Sequence, residues 1–454
     1  MSNVIAAIST AQAAAGIGVI RISGDNARAV AAKVFRAAGD KNILTMPGYT
    51  AAYGRVFDGE EEIDEAVALV FAAPKSYTGE DVVELQCHGG MYNLKRVLRA
   101  VYKNGAVPAA PGEFTKRAVL NGKLSLTKAE AVMDIIGAQN AQAARAALSA
   151  RDGAISRRID AVMQQLLDIA AHLAAWADYP EEDIPEIDPQ NLIPQLEGIL
   201  ETMDKILAEY DLGKIMRQGL ETAIVGRPNA GKSTIMNLLA GCERSIVTSV
   251  PGTTRDIVEE TVSVGDVMLR ISDTAGLRDT DDPVERIGVE RARLQIDRAG
   301  LILAVFDAAV PLDAEDLALI DEISPRTSVA IINKTDISDA DYSDVFKAKG
   351  IPVVMISAKT GEGLDRLRRT IEEVVGLSAL NPAAGILANE RQFDAARKAR
   401  QSLAECIQAL RSGVTADAVT VIIGESINSL AELTGERASE AVVDRVFEHF
   451  CVGK

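Results

Sequence analysis

A glycine-rich segment at 226–233 has residue types and spacing suited to binding phosphate. It reads Gly-Arg-Pro-Asn-Ala-Gly-Lys-Ser, follows the apolar residues 223–225 and precedes an apolar helical stretch at 235–239. This strand–loop–helix order is the setting that a P-loop requires. Its backbone N–H groups and the positive helix end can bind phosphate oxygens. We expect Lys232 to act catalytically at the β- and γ-phosphates, and the Ser233 hydroxyl to bind Mg2+.

Two later segments indicate which base is bound. Residues 333–336 read Asn-Lys-Thr-Asp and end an apolar run, and Ser-Ala-Lys at 357–359 follows a second run. Apolar runs of this length are typical of buried parallel strands. The Asp336 carboxylate can accept hydrogen bonds from both N1–H and the 2-amino group of guanine. Adenine has neither donor, so the sequence predicts a preference for GTP.

Hydrolysis should depend on two segments between these motifs. Residues 273–276 read Asp-Thr-Ala-Gly, as expected of a loop at Mg2+ and the γ-phosphate. Leu277 stands where Ras-like enzymes have a water-orienting glutamine, and a leucine cannot orient water. Residues 248–256 read Thr-Ser-Val-Pro-Gly-Thr-Thr-Arg-Asp, which resembles the cation-holding switch of potassium-stimulated GTPases.

That resemblance implies specific metal ligands. Asn229, Thr248, Val250 and Thr253 would hold K+, and Thr254 would be the second Mg2+ ligand and a catalytic residue. For Asn229 the alternative is a residue that simply forms the P-loop turn, since asparagine tolerates such backbone angles. The residues expected to bind GTP are Asn229, Ala230, Gly231, Lys232, Ser233, Thr234, Thr248, Ser249, Val250, Pro251, Gly252, Thr253, Thr254, Asp273, Thr274, Ala275, Gly276, Asn333, Lys334, Asp336, Ser357, Ala358 and Lys359.

Composition limits the remaining possibilities. With 454 residues the chain is too long for one core, and its net charge of −17 argues against nonspecific nucleic-acid binding. Four widely spaced cysteines indicate a reducing compartment. No signal peptide or membrane-spanning run is recognisable, so we expect a cytoplasmic protein. Four cations at helical spacing are interpreted as a solvated helix face: Lys95, Arg96, Arg99 and Lys103.

The pattern along the chain predicts a multidomain α/β and α protein. We expect an N-terminal α+β domain at 1–120, helical segments at 121–216 and 378–454, and a Ras-like P-loop G domain inserted between them at 217–377. A capping box at Thr127 and Glu130 would open the first helix, and a shorter helix would lead into the G domain. Two unrelated helical domains would explain the composition equally well.

The segments flanking the G domain carry a specific resemblance. Residues 19–24 read Val-Ile-Arg-Ile-Ser-Gly, and residues 77–84 read Tyr-Thr-Gly-Glu-Asp-Val-Val-Glu. His-Gly-Gly at 88–90, the segment 111–118, the segment 121–124 and the C-terminal Phe-Cys-Val-Gly-Lys continue the match. With these, the chain resembles, nearly end to end, the tRNA-uridine modification GTPases of the MnmE (TrmE) family.

The resemblance implies an N-terminal domain that forms a homodimer and binds a tetrahydrofolate derivative. By motif position the folate contacts would be Arg21, Glu84, Lys123 and Lys454. The chemistry is reasonable, because cations can hold a glutamyl tail and a carboxylate can accept from pterin N–H groups. One departure is the alanine-rich segment at 11–15, where the family usually has prolines and glycines.

The family's activity is likewise implied. Together with an FAD-dependent MnmG-type partner, in a heterotetramer, the protein would attach an aminomethyl or carboxymethylaminomethyl group to C5 of a tRNA wobble uridine. The folate would supply the carbon, and ammonium or glycine the nitrogen. Two alternatives remain open, namely a regulatory ribosome- or RNA-assembly GTPase without modification chemistry, and a folate-sensing signalling GTPase.

Two residues allow competing roles. Glu285 lies at the position of the family's water-orienting carboxylate, which would compensate for Leu277, but a carboxylate at a helix start is also common. Cys451 lies near Lys454 and could be a thiolate nucleophile or a one-carbon carrier. It could equally be a buried apolar residue that anchors the tail.

Overall fold

The computed structural model describes residues 3–178, 189–241, 259–265, 267–272, 296–377, 380–448 and 450–454. The chain forms two compact units. One comprises Met1–Met133 and Ile423–Lys454, and the other comprises Asp134–Ile422. Within the described ranges, no helix is long and apolar enough to cross a membrane.

The first unit is built on a seven-stranded sheet with the order β3-β4-β5-β6-β2-β1-β7. All neighbouring strands are antiparallel except β1 and β7. Its elements are β1 (Ile5–Ile8), β2 (Ile17–Ser23), α1 (Ala27–Val34), β3 (Phe35–Ala37), β4 (Thr50–Asp58), β5 (Glu61–Phe71), β6 (Val82–His88), α2 (Met91–Lys103), β7 (Val107–Pro108) and α3 (Glu113–Leu120).

Alternation along β2 directs its apolar side chains to one face of this sheet. Ile20 and Ile22 of β2 are fully buried and belong to the same core as Val97 and Val101 of α2. Arg21 lies between the two isoleucines and therefore on the opposite face, since successive strand residues point to opposite sides. The register pairs Arg21 with Glu84 of β6, so an opposite-charge pair faces away from the core.

Helices flank the second sheet in sequence on both sides. Before it come α4 (Leu126–Gly137), α5 (Ala141–Arg151), α6 (Ala154–Asp178) and α7 (Pro189–Gln218). After it come α12 (Glu390–Arg411), α13 (Ala416–Thr434) and α14 (Glu440–Phe447). In the second unit α7 contacts α12, where the rings of Tyr210 and Phe393 stack with centroids 4.4 Å apart.

The second sheet has six strands in the order β13-β12-β11-β8-β10-β9. Every pairing is parallel except that of β9 with β10. Its elements are β8 (Leu220–Val225), α8 (Lys232–Ala240), β9 (Glu259–Val264), β10 (Val267–Ser272), β11 (Leu301–Asp307), α9 (Ala314–Ile323), β12 (Ser328–Asn333), α10 (Ser343–Lys347), β13 (Val353–Ile356) and α11 (Leu364–Val375). Ligands of such sheets bind beyond the carboxyl ends of the strands.

The predicted fold class is confirmed, but two local predictions are wrong. Helix α4 begins at Leu126, so Thr127 lies inside its first turn, and the Ser125 hydroxyl accepts from Lys128 N at 3.4 Å instead. Helix α7 has 30 residues against 25 in α6, so it is longer, not shorter. The domain limits stay a prediction. The last residues, 423–454, group with the N-terminal unit.

Candidate functional site

The loop between β8 and α8 is shaped by two glycines with left-handed backbone angles and close neighbours. Gly226 has a φ of 138°, and Gly231 has a φ of 99°. A Cβ atom on Gly226 would lie 2.2 Å from Val305 O, and one on Gly231 would lie 2.1 Å from Asn333 Nδ2. Both glycines therefore permit a close approach of the loop to neighbouring strands as well as an unusual backbone angle.

The ammonium group of Lys232 lies within the curve of this loop. It donates to Gly226 O at 2.8 Å and to Arg227 O at 2.7 Å. Burial lowers the pKa of Lys232 from the ordinary lysine value. Ser233 and Thr234 are exposed in the first turn of α8, and Asn229 is exposed with a φ of 62°. A cation and exposed hydroxyl and amide groups thus occur together at a helix N-terminus, where anions bind.

Asn333, the last residue of β12, connects the loop to a third segment. Its side chain is 2% exposed. Its Nδ2 donates to Ala230 O at 2.9 Å, and its Oδ1 accepts from Ala358 N at 3.0 Å. A buried amide with both ends satisfied holds its partners in a fixed geometry. Asn333 therefore joins the glycine-rich loop to the Ser-Ala-Lys segment.

The Asp336 carboxylate is oriented by a neighbouring hydroxyl. Ser357 is fully buried, and its Oγ donates to Asp336 Oδ1 at 2.9 Å. The same Oγ accepts from Thr360 N at 3.3 Å, which fixes the hydroxyl. Asp336 itself is exposed, as is Lys359. An exposed carboxylate in a set orientation can accept two parallel N–H donors from a planar base.

Asp307 is a site residue that sequence reasoning missed. It ends β11 and lies 2.5 Å from Lys334 Nζ, an ion pair between Asp307 Oδ2 and the lysine. Its other oxygen accepts from Ala309 N at 2.9 Å. Lys334 has a φ of 70°, its carbonyl oxygen accepts from Ile337 N at 3.1 Å, and the ion pair fixes its side chain. The available signal was that Asp307 follows an apolar run in the same way as Asn333.

A second cluster of functional groups lies in the first unit, around Arg21. Its Nε is 2.8 Å from Glu84 Oε1, and the two side chains are only 15% and 16% exposed. The guanidinium carbon lies 5.5 Å from the ring centroid of Tyr77 and 5.6 Å from that of Phe114. Arginine stacks on aromatic faces in this way. The side chain of Arg21 is therefore constrained on several sides.

The C-terminal tail reaches the same cluster across 432 positions of sequence. Arg21 Nη1 donates to Gly453 O at 3.5 Å, and Ser9 Oγ donates to that oxygen at 2.9 Å. Burial and the Arg21 charge lower the pKa of Lys454, while Glu84 opposes that shift. Arg21, Glu84 and Lys454 therefore lie close enough together to interact.

Lys123 lies at the edge of this cluster. Its Nζ donates to Pro74 O at 3.1 Å, in the segment that leads to Tyr77. The Tyr77 hydroxyl shares a hydrogen bond with Thr115 Oγ1 at 2.8 Å. Lys123 therefore contacts the segment 74–77, whose Tyr77 borders Arg21, and is not part of the Arg21–Glu84 ion pair.

A half-buried salt bridge lies next to the Tyr77 segment. Arg117 contacts Glu80 at 3.1 Å and Glu113 at 2.9 Å, and Ser23 Oγ donates to Glu80 Oε2 at 2.7 Å. The Ser23 and Thr78 hydroxyls also share a hydrogen bond of 2.8 Å. These bonds connect the end of β2 to the loop before β6 and to α3, which explains the charged motifs of those segments. Sequence reasoning missed this network, because its members become neighbours only in the folded chain.

One of the two interpretations of Cys451 is wrong. The residue is exposed, so it does not anchor the tail as a buried apolar side chain. Its carbonyl oxygen accepts from Gly112 N at 3.3 Å, which holds the backbone while leaving the thiol outside. A nucleophilic role for the thiol stays a prediction.

Several predicted site residues lie outside the described part of the chain. They are Thr248, Ser249, Val250, Pro251, Gly252, Thr253, Thr254, Asp273, Thr274, Ala275, Gly276 and Glu285, together with Leu277. Among the described residues, the structure brings together the glycine-rich loop, the segment 333–336 and the segment 357–359. It also brings together Arg21, Glu84 and Lys454 in the other unit.

Comparison with known proteins covers the whole chain. The family model "GTP-binding protein TrmE N-terminus" matches residues 4–123, and the model "MnmE helical domain" matches residues 126–451. The tRNA modification GTPase MnmE of Symbiobacterium thermophilum is 42% identical over 99% of each chain. The protein of that name from Thermoanaerobacter sp. (strain X514) is 38% identical over 100% of this chain and 99% of its own.

Among solved structures, the G domain of the T. maritima FeoB iron transporter is 28% identical with a TM-score of 0.26. It covers 34% of this chain and 98% of its own. The two family models match most of the chain, and the relatives cover it from end to end. This GTP hydrolase therefore belongs to the MnmE family of tRNA modification GTPases.

Proposed function

We propose that this protein is a potassium-stimulated GTPase that takes part in attaching an aminomethyl or carboxymethylaminomethyl group to C5 of a tRNA wobble uridine. A tetrahydrofolate derivative supplies the carbon in the N-terminal unit, and an FAD-dependent partner of the MnmG type completes a heterotetramer with the homodimer. The reaction would take place in the cytoplasm. The main support for the proposal is the contact between the C-terminal tail, at Gly453, and the Arg21–Glu84 pair.

The nucleotide site would work by positioning and electrostatics. Lys232 lies within the glycine-rich loop and would exchange its contacts with the loop carbonyls for phosphate oxygens. Asp336, oriented by Ser357, would accept from guanine, while Lys334 lies beside the base site in an ion pair with Asp307. Because Ser357 and Asp307 hold the Asp336 carboxylate and the Lys334 ammonium in set positions, the base side of the site would need little reorganisation.

Metal ions would be held where hydroxyl and amide oxygens are exposed. Ser233, in the first turn of α8, presents a hydroxyl of the kind that Mg2+ accepts, and Thr254 would be its second ligand. Asn229, exposed at the turn of the loop, presents an amide oxygen suited to K+. Thr248, Val250 and Thr253 would complete that site, and Glu285 would orient water. Bound cations supply positive charge opposite the phosphates during hydrolysis.

We expect KCl to stimulate GTP hydrolysis over NaCl at equal ionic strength, and Asn229→Ala to abolish the difference. The reason is that Leu277 cannot orient water, so the cation must supply part of the catalytic charge. Steady-state rates in the two salts test this. Asn381→Ala, far from the loop in sequence, serves as control and should leave the potassium effect intact. An identical rate in both salts for the unaltered protein would contradict the potassium role.

The Arg21 cluster fits a folate by the chemistry of its donors and acceptors. The Glu84 carboxylate can accept from pterin N–H groups, and Arg21, Lys123 and Lys454 can hold a carboxylate or a carbonyl oxygen. The Tyr77 ring gives an aromatic surface beside these charges, as small-molecule sites often have. When bound, the folate supplies the one-carbon unit. The protein's residues bind and orient it.

We expect Lys454→Gln to weaken binding of a reduced folate by roughly 10- to 100-fold, since a hydrogen bond to a charged group contributes about 1.5–3 kcal/mol. Only the last side chain changes, so the fold should be unaffected. Titration of 5-formyltetrahydrofolate by calorimetry measures the effect. Lys41→Gln removes another cation of the same unit, which donates to Ala51 O, and should bind as the unaltered protein does. Equal affinity in both variants would remove Lys454 from the site.

A further inference from the structure

Helix α2 presents a stripe of cations and one aromatic ring away from the core. Tyr92, Lys95, Arg99 and Lys103 are exposed, and Arg96 is half-buried beside them. At 100° per residue these five side chains fall on one face of the helix. The opposite face is fixed against the sheet by a set of buried residues: Leu94, Val97, Ala100 and Val101.

The charge of this region is opposite to that of the chain. Helices α1 and α2 contain six cations and no acidic residue, whereas the whole protein has a net charge of −17. Lys33 Nζ donates to Asn104 O at 3.5 Å, which places a cation of α1 at the end of α2. The surfaces of small domains usually mix both signs. Acidic residues outside these helices offset part of this charge, since Arg28 of α1 pairs with Asp81 at 3.3 Å.

Two of the four cations of α2 are neutralised by acidic residues of the same unit. Arg96 lies 2.8 Å from Glu61, and Lys103 lies 2.6 Å from Asp58, both in the β4–β5 hairpin. Within the described ranges, neither Lys95 nor Arg99 forms an ion pair. These two charges lie one helical turn apart and are available to a ligand.

The exposed aromatic ring distinguishes possible ligands. Tyr92 is 75% exposed, three and seven residues before Lys95 and Arg99. Proteins bind single-stranded RNA by combining cations that contact phosphates with aromatic rings on which bases stack. The stripe from Tyr92 to Lys103 is about 16 Å long, which is enough to meet several phosphates of one strand.

We propose that this basic α2 face binds the phosphate backbone of the tRNA substrate, with Tyr92 stacking on an unpaired base. The inference rests on the proposed function in tRNA modification, and it assigns direct RNA contact to the N-terminal unit. An acidic protein could use Lys95 and Arg99 as well, but a row of cations with a flat ring beside it matches the repeated phosphates and stacked bases of a single strand. The ring is the reason for preferring RNA.

The test measures binding of a fluorescently labelled, unmodified tRNA transcript to the full-length protein by anisotropy over a range of salt concentrations. Lys95→Gln/Arg99→Gln should weaken binding about tenfold at low salt and reduce the slope of log K against log salt by about two, one for each phosphate contact. Lys214→Gln/Lys398→Gln removes two exposed helical cations from the other unit and should change neither quantity. Tyr92→Ala should weaken binding several-fold, while Tyr92→Phe keeps the ring and should not.

Unaltered affinity and slope in the Lys95/Arg99 variant would overturn the proposal. Equal displacement of the transcript by polyglutamate, together with no effect of Tyr92→Ala, would also overturn it in favour of an acidic protein partner. GTP hydrolysis and folate binding are measured on the same preparations. If GTP hydrolysis and folate binding persist while the α2 substitutions leave RNA binding unchanged, the RNA-binding role of α2 is contradicted and the proposed function is not.

Discussion

Asp336→Asn is expected to weaken GTP binding by roughly 100- to 10,000-fold and to change the preferred base from guanine to xanthine. Two hydrogen bonds from guanine to a carboxylate contribute about 3–6 kcal/mol together, and each 1.4 kcal/mol is tenfold in affinity. The amide that replaces the carboxylate turns one acceptor into a donor. Xanthine has a carbonyl oxygen at position 2, which accepts from that donor.

The measurement is a fluorescence titration with labelled guanine and xanthine nucleotides. Recovered binding of the xanthine nucleotide would show that the variant is folded, because a misfolded site would bind neither. Asp339→Asn changes an exposed acid three residues later and should leave the guanine preference intact. Retention of guanine preference by Asp336→Asn would exclude the carboxylate from base recognition.

Gly231→Ala should raise the Kd for GTP at least about 100-fold. The added Cβ would lie 2.1 Å from Asn333 Nδ2, so either the loop or the buried amide must move. That amide also holds Ala230 and Ala358, so the displacement would reach both the phosphate and the base sides of the site. The φ of 99° adds strain of about 1–3 kcal/mol for any residue with a side chain.

Gly350→Ala separates these two effects. Gly350 has a φ of 72°, and a Cβ atom there would meet nothing within 4 Å. This variant should lose some thermal stability from backbone strain but keep GTP affinity. If Gly231→Ala bound GTP as tightly as Gly350→Ala, the close contact with Asn333 would not govern the site.

Most residues of the nucleotide site could be predicted from the sequence by their position after a strand. The glycine-rich loop, Asn333, Asp336 and Ser357 were all recognised from sequence, because each follows an apolar strand at a short, defined distance. Parallel strands then bring their carboxyl ends to one edge of the sheet without further information. Asp307 obeys the same rule, but a single aspartate after a strand forms no motif, and only its ion pair with Lys334 gives it significance.

Helix ends were less accessible to sequence reasoning. Ser125 and Thr127 can both cap a helix, and the spacing to Glu130 favoured the wrong one. Helix α7 is longer than predicted. Its apolar residues do not fall on one clear face of the helix, and it contains Pro194, so its sequence gives little sign of a long helix. Contacts with α12 decide its extent, including the stacking of Tyr210 on Phe393. Tertiary packing commonly overrides local preference in this way.

By itself the sequence determined the parallel sheet and predicted the phosphate loop and the guanine motif at its edge, since these depend on local spacing and strand order. Only the tertiary structure placed Tyr77 and Phe114 against Arg21, brought Gly453 to the same guanidinium and exposed Cys451. It also left Lys95 and Arg99 without an ion pair among the residues that the structure describes. Some of these features are contacts between residues that are distant in sequence. The others are exposures of side chains, which depend on the segments packed around them. Neither property is encoded in local spacing, because contacts between distant segments arise when the whole chain buries its apolar surface.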